Sequence, residues 1–184
     1  GKSDIEVKET VSVTKSSSSA IPEMKLASKY VINNVYRAMQ EVFPLTEAHK
    51  KHLLNVRQLT KNDFKSYFSF PQRGTDVAGK VMECLKNKIA ENTFEESYDK
   101  LSEAQKEVIN SSKALKRVRE DFKHIPGFYL NKSTNKIEWM YKNGIALLAI
   151  DDLGYAQGIQ VQNLNPTNGA PKYVWWSSQS KLGE

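Results

Sequence analysis

The chain has 184 residues, 39% of them hydrophobic and 26% charged, proportions that suit a soluble globular protein and exclude a wholly disordered one. Its 27 Lys and Arg against 21 Asp and Glu leave a charge of +6, which permits a polyanionic partner without requiring one. No apolar run approaches a membrane-spanning length, no signal peptide opens the chain, and the single cysteine, Cys84, cannot form an internal disulfide, so the expected location is cytoplasmic with no membrane partner.

Residues 1–24 mix charges with Thr, Ser and Val and run into Ser16, Ser17, Ser18 and Ser19, a composition that reads as a flexible tail or linker. Gly1 and the abrupt end at Glu184 read as the limits of a processed or excised fragment. Residues 25–184 read as a single domain, helical over 25–123 and a sheet over 124–184.

From Lys25 the pattern is helical. Tyr30, Val31, Val35, Ala38, Met39, Val42 and Phe43 recur at spacings of three and four until Pro44 breaks the run. A second helix over 47–57 places Leu53 and Leu54 inward, and Thr60 caps a short third helix carrying Phe64 and Tyr67 before Pro71. A fourth helix is expected over 75–90, where Val77, Val81, Leu85 and Ile89 lie four apart. A fifth, longer and more polar, is expected from Ser97 or Ser102 to Phe122, with Lys113, Lys116, Arg117, Arg119 and Lys123 on its exposed side.

After His124 the period changes to alternation, which predicts strands near 128–130, 136–141, 145–150, 156–162 and 172–177. The fold class is therefore α+β, an N-terminal helical half packed on a small, mostly antiparallel C-terminal sheet.

Two motifs invite enzymatic readings. Gly74 to Lys80 fits G-x-x-x-x-G-K, and the apolar run from Ile145 ends in Asp151 and Asp152, so the pair resembles the phosphate loop and metal-holding acid of an ATPase. That chemistry needs a hydroxyl after the lysine, where the chain has Val81, and a buried strand before the loop, where it has Pro71. Asp-Asp-Leu-Gly is an ordinary hairpin turn, which is the better reading. His49 and His52 lie three apart on one helix, but only His124 and Cys84 remain to complete a metal site, so neither metal nor other cofactor is expected.

The end of the chain combines cations with aromatics. Alternation sends Lys172, Val174 and Trp176 to one face of a strand and Tyr173 and Trp175 to the other. One tryptophan is thus expected in the core, and for the other two roles stay open: stacking on an unpaired base, a contact worth about 1–3 kcal/mol, or packing against the helical layer. Trp176 is taken as the stacking residue.

The order of motifs carries a resemblance. Val35-Tyr36, Leu45-Thr46, His49, Leu53, Arg57 and Leu59 are followed by Ile125-Pro126-Gly127-Phe128-Tyr129. Then come Gly144-Ile145, Asp151, Gly154, Gly158, Lys172-Tyr173 and Ser177-Ser178. Over residues 30–183 this succession resembles the N-terminal subdomain of the catalytic core of DnaG-type (Toprim) primases, as in plasmid, phage and mobile-element proteins of Firmicutes. The resemblance implies one wall of a basic groove that holds single-stranded template beside the Toprim metal site in DNA replication. Carried over by position, it implies nucleic-acid-binding roles for Lys172, Tyr173 and Arg57, to which the basic and aromatic residues Lys142 and Trp176 are added.

The departures also carry meaning. Leu148 and Ile150 stand where the family favours proline and arginine, Gln162 where it favours arginine, and Gln58 where it favours glycine. The Toprim acids that should follow are absent, so no catalytic residue is expected and the chain should not polymerise by itself; primase activity would belong to a longer protein. Two functions follow as expectations: a single-stranded-DNA-binding, primase-like module, or a degenerate interaction module whose basic 113–123 helix docks a helicase or polymerase subunit.

Overall fold

The computed structural model describes residues 25–178. The tail expected over residues 1–24 lies outside them. The architecture is α+β, with helices preceding most of the strands and every strand pair antiparallel.

Helix α1 (Lys29–Val42) starts where the Ser28 hydroxyl accepts the Val31 N–H, and its apolar stripe of Val31, Ile32, Val35, Tyr36, Ala38 and Met39 is buried. That stripe packs on the sheet and on helix α3 (Val77–Phe94), which buries Val77, Val81, Leu85 and Ala90. The Tyr36 hydroxyl donates to the Pro126 carbonyl at 2.9 Å and ties the helical layer to the Ile-Pro-Gly-Phe segment. Helix α2 (Glu47–Asn55) is capped by Thr46, whose side chain accepts the His49 N–H.

Two expectations about the helical half are corrected. Thr60 and Asp63 do form a capping box, but the turn it opens is a short 3-10 segment, Lys61–Ser66, and Tyr67 belongs to strand β1 (Tyr67–Ser69). The aromatics Tyr67, Phe68 and Phe70 suit a pleated strand better than a helix face, and β1 is an edge strand, so Pro71 breaks no ladder. The single long helix expected to reach Phe122 is divided into α4 (Glu103–Asn110) and α5 (Lys113–Asp121). Ser111 donates its hydroxyl to the Glu107 carbonyl, while Ser112 accepts the Leu115 N–H and starts the second helix. Two adjacent serines compete with the helical ladder and end it.

Strands β2 (Phe128–Asn131) and β3 (Lys136–Trp139) form a separate ribbon. Strands β4 (Ile145–Ile150), β5 (Ala156–Gln162) and β6 (Tyr173–Trp175) join β1 in a sheet of order β1-β4-β5-β6. The β4–β5 turn is the expected Asp151 turn. The Asp151 carboxylate accepts the N–H groups of Leu153 and Tyr155, and Gly154 has φ +87°.

Period-two alternation divides the sheet into two faces. Phe68, Ala146, Leu148, Ile159 and Val161 turn to the helices and join the core; Tyr67, Leu147, Gln160, Tyr173 and Trp175 turn away. No helix among the described residues is long and apolar enough to cross a membrane.

Candidate nucleic-acid interface

Register places the outward side chains in rows across the sheet. Tyr67, Leu147, Gln160 and Trp175 form one row, and Ser69, Ile145, Gln162 and Tyr173 the next. Helix α2 lies over one end of the second row. His49 Nδ1 is 2.7 Å from the Ser69 hydroxyl, and His52 Nε2 is 3.3 Å from Gln162 Nε2. Ile145, fully buried although it points away from the main core, is covered there. On the remainder of the face Tyr67, Leu147, Gln160 and Tyr173 are half-buried and Trp175 is exposed.

Where α2 stops, Arg57 reaches back over the sheet. Its guanidinium carbon lies 5.4 Å from the centre of the Tyr173 ring, and Lys172 Nζ lies 5.8 Å from the same centre. Arg57, Tyr67, Ile145, Leu147, Gln160, Gln162 and Tyr173 line a cleft of about 300 Å³. The Tyr173 hydroxyl is buried with no hydrogen-bond partner among the described residues, so the ring and its two cations carry the chemistry here. Gln58, following Arg57, has φ +54°, a left-handed backbone that glycine adopts most readily. The turn out of α2 that aims Arg57 is thus set by a backbone conformation, and glutamine takes it at some strain.

The residues expected to bind nucleic acid therefore divide. Arg57, Lys172 and Tyr173 converge. Lys142 does not join them: it lines a separate recess of about 210 Å³ with Val161 and Val174, whose side chains point oppositely to Tyr173. Trp176 is a correction. It is 3% exposed, its indole N–H donates to the Met140 carbonyl at 2.6 Å, and its ring meets Tyr36, Phe70 and Phe128. It is a core residue with no face left for a base. Trp175, 63% exposed, stands on the open face instead. The spacing of Tyr173 and Trp175 was the available signal, but which face of the strand is covered is not written in it.

No family model, no curated protein and no solved structure matches this chain.

The ATPase motif has a local explanation. The Asp76 carboxylate caps α3 by accepting the Gly79 N–H at 2.9 Å, so an acid of the chain itself occupies the helix start where a phosphate would bind. Asp151, committed to its turn, is held by Leu153 and Tyr155. Groups of three or more His, Cys, Asp or Glu placed to hold a metal ion do not occur among the described residues.

His49 gives the stability of the fold a pH dependence. Burial first, and the neighbouring His52 second, hold its imidazole below the ordinary value of 6.5. Ser69 already accepts the Thr46 N–H at 2.8 Å, so its own hydrogen is available to a neutral Nδ1 and is stranded when Nδ1 is protonated. The unfolded chain then binds the proton more readily than the folded one. Stability is fully present above about pH 6.5 and falls as the pH drops through the lower folded value. Melting at pH 7.5 and at about pH 5 should show this loss, and His49→Asn should reduce it without removing it, because burial also lowers His124. An unchanged pH profile in His49→Asn rules the mechanism out.

Proposed function

We propose that this protein is a nucleic-acid-binding, primase-like module that holds a single strand across the open face of its four-stranded sheet. The observation that carries the reading is the convergence of Arg57 and Lys172 on the Tyr173 ring, beside a cleft that α2 leaves uncovered. Two cations on one side of an exposed sheet attract a phosphate chain and fix its path without reading bases. The resemblance to the primase core supports the same residues, and the left-handed backbone at Gln58 fits a position where that family favours glycine. The reading assigns binding, not catalysis, to these residues; polymerisation would need metal-holding acids from elsewhere.

Fluorescence anisotropy with a labelled DNA of about twenty nucleotides, at two salt concentrations, tests it. Binding should weaken steeply with salt. Arg57→Ala and Lys172→Ala should each weaken it for every base sequence and flatten the salt slope by about 0.7. Unchanged affinity and slope in both variants would show that the strand does not lie here.

A second reading rests on α5. Lys113, Lys116 and Arg117 are exposed, and among the described residues none of them is ion-paired. This stripe suits an acidic protein surface, such as a helicase or polymerase subunit. A pull-down that survives nuclease treatment, from a chain without DNA affinity, selects it.

A further inference from the structure

We infer that Trp175 is a stacking platform for one unpaired nucleobase, so that the interface binds strands that carry bases in preference to a bare phosphate chain. The inference rests on the phosphate-binding reading above and adds a second chemistry to the same face.

Trp175 is the most exposed tryptophan among the described residues at 63%, although it sits within a paired strand. Its ring leans over Gly158 on the neighbouring strand: a Cβ there would lie 3.1 Å from Trp175 Cζ3. The missing side chain leaves the indole against the sheet. Beside it opens a cleft of about 420 Å³ whose walls include Pro126, Ala149, Ile150 and Gly158. Ile150 is itself 39% exposed, so the cleft offers apolar surface next to a free aromatic face. Every base has a π-face and stacks on such a ring whatever its sequence.

Charge decides what enters from where. Arg57 and Lys172 stand at Tyr173, while the acidic Asp151 is among the residues that line the Trp175 cleft. Phosphate is drawn to the first end and repelled from the second, which turns the bases toward Trp175. The Tyr173 ring already has both cations near it, so the indole is the ring left open. Tyr173 and Trp175 are two residues apart on one face, about 6.6 Å, twice the roughly 3.4 Å rise of a stacked strand. A phosphate held at Tyr173 thus leaves a base within reach of Trp175. An apolar protein side chain would also fit the cleft, but the flanking cations favour a polyanion.

The test titrates wild type, Trp175→Ala and Trp175→Phe with a labelled oligodeoxynucleotide and with a strand of equal length made abasic throughout. Wild type should hold the base-carrying strand more tightly. Trp175→Ala should weaken that strand roughly five- to hundred-fold, leave the abasic strand and the salt slope unchanged, and be largely rescued by Trp175→Phe. If wild type holds both strands equally, or Trp175→Ala weakens both alike, the platform is overturned while the phosphate site stands. If wild type binds neither strand, the phosphate site has failed and the platform falls with it.

Discussion

Trp176→Ala is expected to lower the stability of this protein by about 3–5 kcal/mol, against less than about 0.5 kcal/mol for Trp175→Ala. The adjacent tryptophans differ in everything but their chemistry. Trp176 sits between Tyr36 of α1, Phe70 after β1 and Phe128 of β2, with ring centres 6.0, 5.4 and 5.0 Å away. Its N–H satisfies the Met140 carbonyl, which alanine would leave without that donor. Gly127 closes the pocket: at φ +93°, a Cβ there would lie 2.2 Å from the indole. The ring therefore joins the helical layer, the ribbon and the sheet, and its loss opens a cavity where they meet. Urea unfolding of both variants checks this, and equal losses would overturn the assignment of inner and outer faces.

Gly144→Ala is expected to cost about 2–5 kcal/mol, from backbone strain and overpacking together. Gly144 enters β4 at φ +146°, and a Cβ there would lie 1.8 Å from the Gln162 backbone oxygen. That oxygen belongs to β5, so relief requires the β4–β5 pair to part at its Ile145–Gln162 end. Gln162 is also the residue that meets His52 and pairs with Tyr173. The variant should melt lower, and where it remains folded it should bind single-stranded DNA more weakly, because the strand that positions Tyr173 has moved. An unaltered melting temperature would mean that the close approach of these two strands is not required by the fold.

Much of the sheet was legible because hairpins are local. The strands at 145–150 and 156–162 and the Asp151 turn between them follow from apolar alternation and one Asp-x-x-Gly sequence, and the two strands pair with each other directly across that turn. Strand β1 was not legible. Tyr67 to Ser69 pairs with residues far along the chain, and its three residues carry too little pattern to outweigh a capping signal just before them. The break between α4 and α5 was written in Ser111 and Ser112, but hidden by basic residues that suit a long helix equally well.

The candidate interface divides in the same way. Lys172 and Tyr173 are neighbours in the chain, so their proximity needed no fold. Arg57 joins them only because α2 crosses the end of the sheet and its exit turn points back, and Lys142 fails to join because its connection leads to another recess. Alternation alone determined that Trp175 and Trp176 look in opposite directions. Which of them is core was decided by the tertiary structure, because a strand has two equivalent faces until a helix covers one. Here α1 covers the face of Ile159 and Val161, which buries Trp176 and leaves Trp175 to the solvent.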